Sequence, residues 1–188
     1  VLRVYVDYPS KSSGLPDWLR AKGVTEKNYR AHGGGKSPDY NHPQMVLALE
    51  RLIAAMGKRY NTHPRVAFIQ LGLLGFWGEW HTYPRGELFA SEATQHRIIR
   101  AYLKAFPNKQ LMARYADGVL SKYHAIGFHD DMFPEDTDNG KDWSFLARMR
   151  RGGHIDNWKH NVVGGEMVPN AAGKWMGNQW AYTQEMVK

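Results

Sequence analysis

Five short apolar segments alternate with helical segments along this chain, and this alternation constrains the fold more than any other feature of the sequence. They cover residues 2–7, 66–71, 110–114, 125–131 and 161–166. Each segment is apolar throughout, a composition typical of strands that are buried on both faces of a parallel sheet. The helices between them would form the crossover connections that parallel strands require. The sequence therefore predicts an α/β protein with a parallel sheet.

Two of the intervening segments have the spacing of long amphipathic helices. Pro43 is placed for the first turn of one helix, and apolar residues then recur at helical spacing to about Tyr60. Ser91 is placed to cap a second helix, which Pro107 ends. Shorter helical pieces are predicted at 16–22, 119–123, 142–150 and 174–188. The rest of 10–42 is predicted to be a long loop.

Polar residues follow the predicted strands at their C-terminal ends. They are Asp7, Glu79, Arg114, His129–Asp131 and Glu166. In a (β/α)8 barrel the chemistry takes place at these ends. A doubly wound sheet would use the same ends, but no Gly-x-Gly-x-x-Gly sequence follows a strand here. We therefore predict a TIM-type barrel of which this chain holds about strands 3 to 7. It would form one catalytic-type domain over 1–188, with two strands before Val1 and one after Lys188 in a longer protein.

Charge and composition exclude several functional classes. The formal net charge is +7, but the basic residues are scattered and form no continuous stripe, so we expect no nucleic-acid partner. Attraction to an acidic polysaccharide stays open by the same electrostatics. The chain has no cysteine, which excludes a thiolate nucleophile or thiolate metal ligand. No apolar run approaches the length of a membrane span.

The segment Phe76-Trp-Gly-Glu-Trp-His81 places one carboxylate between two indole side chains. Flat aromatic rings match the C–H face of a pyranose. A carboxyl group near apolar rings can be held protonated for general-acid catalysis. The segment therefore predicts a sugar site with Glu79 at its centre and with Trp77 and Trp80 beside it.

Several motifs occur in an order that resembles a known family. They are Tyr40-Asn-His-Pro-Gln44, the segment 70–81, Gly127-Phe-His-Asp-Asp-Met-Phe133 and Gly164-Gly-Glu166. Together they resemble a bacterial family of secreted, glycoside-hydrolase-like barrels of largely unknown function. More distantly, they resemble the clan of retaining glycosidases whose acid/base Glu follows strand 4 and whose nucleophilic Glu follows strand 7. That clan typically has Asn directly before the acid/base Glu, where this chain has Gly78.

The resemblance implies a glycoside hydrolase that acts on a poly- or oligosaccharide and is secreted or periplasmic. Glu79 would be the acid/base and Glu166 the nucleophile, with their carboxyl groups about 5–5.5 Å apart. We expect no cofactor and no metal ion. The predicted substrate-binding residues are Asp7, Trp77, Trp80, His81, Arg114, Tyr115, His129, Asp130, Asp131 and Trp175.

Other interpretations of these residues stay open. An inverting enzyme would use a wider carboxyl pair, with Asp130 or Asp131 as the base. Arg114 could be a structural ion-pair partner of Glu166. The acidic residues between 129 and 136 could bind Ca²⁺ through carboxylate oxygens. The chain could also be a carbohydrate-binding barrel without catalytic activity, and its oligomeric state is left open.

Overall fold

The computed structural model describes residues 1–187, and the chain divides into two compact units. The first unit is Val1–Leu111 and the second is Met112–Lys188. The prediction of one catalytic-type domain over the whole chain stays a prediction.

The first unit contains the two long helices that the sequence predicts. After the short helix α1 (Asp17–Arg20), α2 spans Pro43–Tyr60 and α3 spans Glu92–Ala105. The His42 side chain accepts a hydrogen bond from the backbone N–H of Gln44, and the Ser91 side chain accepts one from that of Thr94, so both helices begin at capped N-termini. Their buried residues lie on one face of each helix, as the spacing of apolar residues predicts.

A hairpin lies within the region that the sequence predicts to be a loop. Strand β1 (Glu26–Tyr29) pairs antiparallel with β2 (Gly35–Pro38), with Glu26 opposite Pro38 and Tyr29 opposite Gly35. A 3-10 turn at Ala31–Gly33 connects them. The two strands are mostly polar and only their ends are buried, so they lack the alternation of apolar residues that predicts a strand.

The remaining strand of the first unit, β3, covers Phe68–Gln70. The predicted strand at 2–7 is present as two isolated parallel bridges, from Leu2 to Ile69 and from Asp7 to Phe76. This segment is therefore extended and runs parallel to β3 and the chain that follows β3. A 3-10 turn at Gly86–Leu88 precedes α3.

The second unit is built on parallel strands. Strand β4 (Gln110–Ala113) begins at the end of the first unit and pairs with β5 (Gly127–Phe133), which pairs with β6 (Val163–Met167). The α-helices are α4 (Phe145–Arg151) and α5 (Trp180–Met186). Helical turns lie at Gly118–Lys122 and Asn157–Lys159, and a π-helical turn lies at Lys174–Asn178.

The fold is of the mixed α/β class that the sequence predicts. The strand order of the larger sheet is β3-β4-β5-β6. These four strands are half the number that a closed (β/α)8 barrel requires, so residues 1–187 do not form such a barrel by themselves. No helix within 1–187 combines the length and the apolar character that crossing a bilayer requires.

Candidate functional site

The loop after β3 has an unusual backbone. This segment, residues 71–84, is called the Glu79 loop below. Three of its residues other than glycine have positive φ: Leu73 at 72°, Trp77 at 54° and Trp80 at 60°. Positive φ is uncommon in residues with a side chain and is costly unless the surrounding structure enforces it. Such strain is concentrated at functional sites, so it marks this loop as a candidate site.

Hydrogen bonds and close packing hold this strained backbone in place. The backbone N–H of Phe76 donates to the carbonyl of His81 at 2.8 Å, and that of Trp77 donates to the carbonyl of Asp7 at 2.9 Å. Gly75 has a φ of 76°, and a Cβ atom there would lie 2.4 Å from the carbonyl oxygen of His81. The loop can therefore close on itself only with glycine at this position.

Gly78 is the position at which the retaining glycosidase clan typically has Asn. Its φ is 70°, and an added Cβ would lie 3.1 Å from Cα of Gly72 and 3.3 Å from the carbonyl oxygen of Val4. Asn tolerates a left-handed backbone better than most residues, but here its side chain would start against two backbone segments. An Asn side chain at this position would therefore strain the loop.

Glu79 lies between two basic side chains. Its carboxyl oxygens are 3.9 Å from Nη2 of Arg3 and 3.5 Å from Nε2 of His81, and its side chain is 18% exposed. The backbone N–H of Tyr83 donates to Nδ1 of His81 at 3.2 Å, so in the neutral ring the proton resides on Nε2, facing Glu79. The Glu79 carboxyl group thus has a basic neighbour on each of its two oxygens, and solvent still reaches it.

The two indoles beside Glu79 have different environments. Trp80 is 5% exposed, and its indole N–H donates to the carbonyl of Leu71, so its ring packs in the interior. Trp77 is partly exposed, with its ring centroid 5.0 Å from that of His32 and 5.9 Å from that of His81. Of this pair, Trp77 is the one with ring surface available to a ligand.

Asp7 belongs to a buried polar group beneath the loop. It is 1% exposed, and its Oδ1 accepts a hydrogen bond from the hydroxyl of Tyr29 at 2.5 Å. Burial raises the pKa of the Asp7 carboxyl above its ordinary value, and the hydrogen bond from Tyr29 opposes this increase. The backbone carbonyl of Asp7 also accepts a hydrogen bond from the backbone N–H of Trp77, so Asp7 connects this buried group to the loop.

The second unit contains a separate polar cluster at the end of β4 and along β5. Nη2 of Arg114 lies 3.5 Å from Oδ1 of Asp130, whose Oδ2 accepts a hydrogen bond from Thr137 at 2.6 Å. Nδ1 of His129 lies 2.6 Å from Oδ1 of Asp131. His129, Asp130 and Asp131 are each at most 3% exposed. This group, called the β5 cluster below, is buried and internally hydrogen-bonded.

Next to the β5 cluster, Tyr115 is packed between cationic side chains. The guanidinium carbon of Arg148 is 4.2 Å from its ring centroid, and that of Arg114 is 5.1 Å away. Asp117 accepts hydrogen bonds from both Arg148 and Arg151. The Tyr115 ring therefore already has cation–π partners on the protein.

Glu166 and Trp175 complete the predicted set in the second unit. Glu166 lies on β6 and is exposed. The preceding Gly165 packs so closely on β5 that a Cβ atom there would lie 1.9 Å from the carbonyl oxygen of Asp130. Trp175 is 7% exposed, and Nζ of Lys174 is 3.9 Å from its ring centroid. The assignment of Glu79 and Glu166 as a catalytic pair stays a prediction.

The acidic residues between 129 and 136 do not form a metal site. Within residues 1–187, no group of three or more His, Asp or Glu side chains is arranged to hold a metal ion. Asp130 instead accepts a hydrogen bond from the Thr137 hydroxyl and forms an ion pair with Arg114. Burial raises the pKa of the Asp136 carboxyl, and the negative charge of Asp130 contributes to the increase.

Sequence reasoning missed Arg3, which contacts Glu79. A usable signal was present, because Arg3 and Asp7 are four residues apart in an extended segment and side chains at even separations share a face. It also missed Tyr29 and His32, which approach the Glu79 loop from the hairpin. Because the hairpin itself has no apolar pattern, the sequence contains no comparable signal for these two residues.

Comparisons with known proteins assign the chain to no family. No family model matches it, and neither does any curated protein. The chain has a structural likeness to endoglycoceramidase II from Rhodococcus sp., a glycoside hydrolase solved with a five-membered iminocyclitol, at a TM-score of 0.46 and 14% sequence identity. The match covers 98% of this chain and 54% of that enzyme's chain, so this chain spans about half the enzyme's length.

Proposed function

We propose that this protein is a glycoside hydrolase in which Glu79 is the acid/base residue. The main support is the Glu79 loop itself, a strained segment that holds one partly exposed carboxyl group between Arg3 and His81. A protein gains no stability from such strain, whereas positioned catalytic groups commonly depend on it. Trp77, on the same loop, would stack against the sugar.

The proposed reaction needs a second carboxylate, and we assign this role to Glu166. In a retaining mechanism Glu79 protonates the leaving oxygen while Glu166 attacks the anomeric carbon and forms a glycosyl-enzyme intermediate. Glu79 then removes a proton from water, which releases the sugar and restores both carboxyl groups. The exposure of Glu166 on β6 is compatible with contact to a substrate.

His81 would position Glu79 rather than react with the sugar. Its Nδ1 accepts a hydrogen bond from the backbone N–H of Tyr83, so in the neutral ring the proton on Nε2 is directed at the Glu79 carboxyl group. This arrangement would fix the direction of one carboxyl oxygen and leave the other available to the leaving group. Arg3 contacts that other oxygen at 3.9 Å, a distance at which a substrate oxygen could compete with it.

The test is the turnover of Glu79→Gln and Glu166→Gln on a panel of poly- and oligosaccharides. We expect each variant to lose at least about 100-fold in kcat, since positioned acid–base catalysis contributes roughly 10²–10⁴-fold. Matched controls are Glu87→Gln in the first unit and Glu185→Gln in the second, both exposed, and both should keep full activity. If Glu79→Gln and Glu166→Gln both stay active, the assignment is wrong.

A carbohydrate-binding protein without catalytic activity is the second candidate. It is favoured by Gly78, because the Asn side chain that the clan uses next to the acid/base residue is absent and the packing of the loop disfavours it. This candidate predicts that the unaltered protein binds saccharides without cleaving any of them. It also predicts that Trp77→Ala weakens binding while Glu79→Gln leaves it unchanged.

A further inference from the structure

An open pocket in the first unit has the composition of an anion site. It has a volume of about 450 Å³ and lies between the segment 10–13 and the hairpin. Two lysines, Lys11 and Lys36, line it together with three serines, Asn28, Tyr29 and the glycines 33–35. None of these lining residues is acidic. The hydroxyls of Ser13 and Tyr29 already donate to Glu26 and Asp7, which leaves those of Ser10 and Ser12 with the two ammonium groups as donors for sulfate, phosphate or carboxylate.

The two lysines are not neutralised by the protein. Among residues 1–187, neither the Lys11 nor the Lys36 side chain forms an ion pair, and both are exposed. The nearby carboxylate of Glu26 is already engaged, because Nε of Arg20 lies 3.0 Å from its Oε2 and the hydroxyl of Ser13 donates to its Oε1. The pocket therefore has two positive charges without a counter-ion from the chain.

The wall of the pocket is sterically fixed. The φ angles of Gly33 and Gly34 are 91° and 84°. A Cβ atom on Gly35 would lie 2.4 Å from the hydroxyl of Tyr29, and one on Gly34 would lie 3.3 Å from the Tyr29 carbonyl oxygen. The backbone N–H of Ser10 donates to the carbonyl of Gly34 at 2.7 Å. These contacts hold the segment with Lys11 against the strand with Lys36.

This pocket adjoins a second cavity that reaches the Glu79 loop. The second cavity has a volume of about 560 Å³, shares Asn28 and Tyr29 with the first, and extends to Pro84 and Arg85. His32, next to Gly33, contacts the ring of Trp77 and the carbonyl of Tyr83. A chain of sugars bound at Trp77 could therefore continue past the hairpin toward the two lysines.

We propose that this pocket, called the Lys11–Lys36 pocket, binds an anionic substituent of the saccharide, so that the substrate is an acidic carbohydrate. This inference rests on the proposed function, because it takes the saccharide from the assignment of the Glu79 loop. The substituent could be a sulfate ester or a uronic acid carboxylate. Both present oxygens with a full negative charge to the same donors.

The test measures the binding of the full chain to dextran sulfate, to polygalacturonate and to neutral dextran at 0.15 M salt. The variant is Lys11→Gln/Lys36→Gln. Its control is Lys58→Gln/Lys104→Gln, which removes the same total charge from exposed positions on α2 and α3. We expect the pocket variant to bind one charged polymer about tenfold more weakly, equivalent to about 1.4 kcal/mol. The control should change by less than about twofold.

Each outcome is decisive. Loss of binding to dextran sulfate alone identifies a sulfate site, and loss of binding to polygalacturonate alone identifies a carboxylate site. Equal weakening by the pocket variant and the control shows attraction by net charge only and overturns the proposal, as does equal binding of charged and neutral polymers. If the protein turns over saccharides but shows no preference for anionic ones, the hydrolase assignment stands and the anion pocket is overturned. If it binds the anionic polymers but turns over no saccharide, the anion pocket stands and the hydrolase assignment is contradicted.

Discussion

The Glu79 loop and the β5 cluster both place acidic and basic side chains at the ends of predicted strands, but they do so in opposite ways. In the loop the backbone is strained and the Glu79 carboxyl group is partly exposed, with its basic neighbours 3.5–3.9 Å away. In the cluster the acidic side chains are at most 3% exposed and form hydrogen bonds of 2.6 Å. The loop is thus the more accessible of the two groups and the cluster the more buried one, and we propose that the loop serves chemistry and the cluster serves stability.

The largest effect that tests this comparison is expected at Asp130. Asp130→Ala removes the partner of Thr137 and the nearer of the two carboxylates beside Arg114, so that the buried guanidinium keeps only Asp131, 3.9 Å away. We expect the free energy of unfolding to fall by about 3–5 kcal/mol, measured by urea denaturation. The control is Asp138→Ala, which removes a partly exposed partner of Arg150 and should cost at most about 1 kcal/mol. Equal costs would mean that the cluster contributes no special stability.

A smaller loss is expected from Gly75→Ala in the loop. The new methyl group would lie 2.4 Å from the carbonyl oxygen of His81 at a φ of 76°, so the loop would have to open. We expect a cost of about 1–3 kcal/mol, the usual range for such backbone strain, together with reduced saccharide turnover. The control is Gly86→Ala, whose added Cβ meets nothing within 4 Å. An unchanged melting temperature for Gly75→Ala would show that the loop is not rigid.

The buried group beneath the loop predicts a dependence of stability on pH. Because the pKa of Asp7 is raised above its ordinary value of 3.8, the folded protein binds more protons than the unfolded chain above that pH. The free energy of unfolding should therefore fall as the pH rises from about 3.8 through the raised pKa. Asp7→Asn should remove this part of the decrease. Asp136→Asn is the comparison variant, since the pKa of Asp136 is raised too. If the free energy of unfolding of Asp7→Asn changes with pH as steeply as that of the unaltered protein, the prediction is wrong.

The smallest effect is expected for the stability of Glu79→Gln. Its contacts with Arg3 and His81 are long and partly solvated, so their loss should change the free energy of unfolding by no more than about 1 kcal/mol. Thermal and urea denaturation of the variant used for turnover would measure this. A cost as large as that of Asp130→Ala would show that Glu79, too, is a structural residue.

The sequence predicts the elements whose patterns are local. The apolar spacing, Pro43 and the cap at Ser91 place α2 and α3 within two residues of their observed bounds, and continuous apolar runs locate β3 to β6. The hairpin could not be predicted because its strands are polar and are stabilised by contacts such as the Tyr29–Asp7 hydrogen bond, which joins residues 22 positions apart.

The position of the Glu79 loop along the chain could be predicted from the sequence, but its conformation could not. Strand ends indicate where Asp7, Glu79 and Arg114 lie along the chain. The sequence does not reveal that Trp77 and Trp80 have left-handed backbones, because residues other than glycine rarely do. The difference in exposure between these two indoles depends on their contacts in the folded protein, such as the hydrogen bond from the Trp80 indole N–H to the carbonyl of Leu71.

The packing of Gly78 against Gly72 also limits how the protein can be redesigned. Substitution of Gly78 by Asn would place the new Cβ 3.1 Å from Cα of Gly72 at a φ of 70°, so the neighbouring backbone would have to shift by a few tenths of an ångström. Gly72 is itself closely packed, since a Cβ there would lie 2.1 Å from the carbonyl oxygen of Val4. A redesign at Gly78 would therefore have to adjust the turn at Gly72 as well.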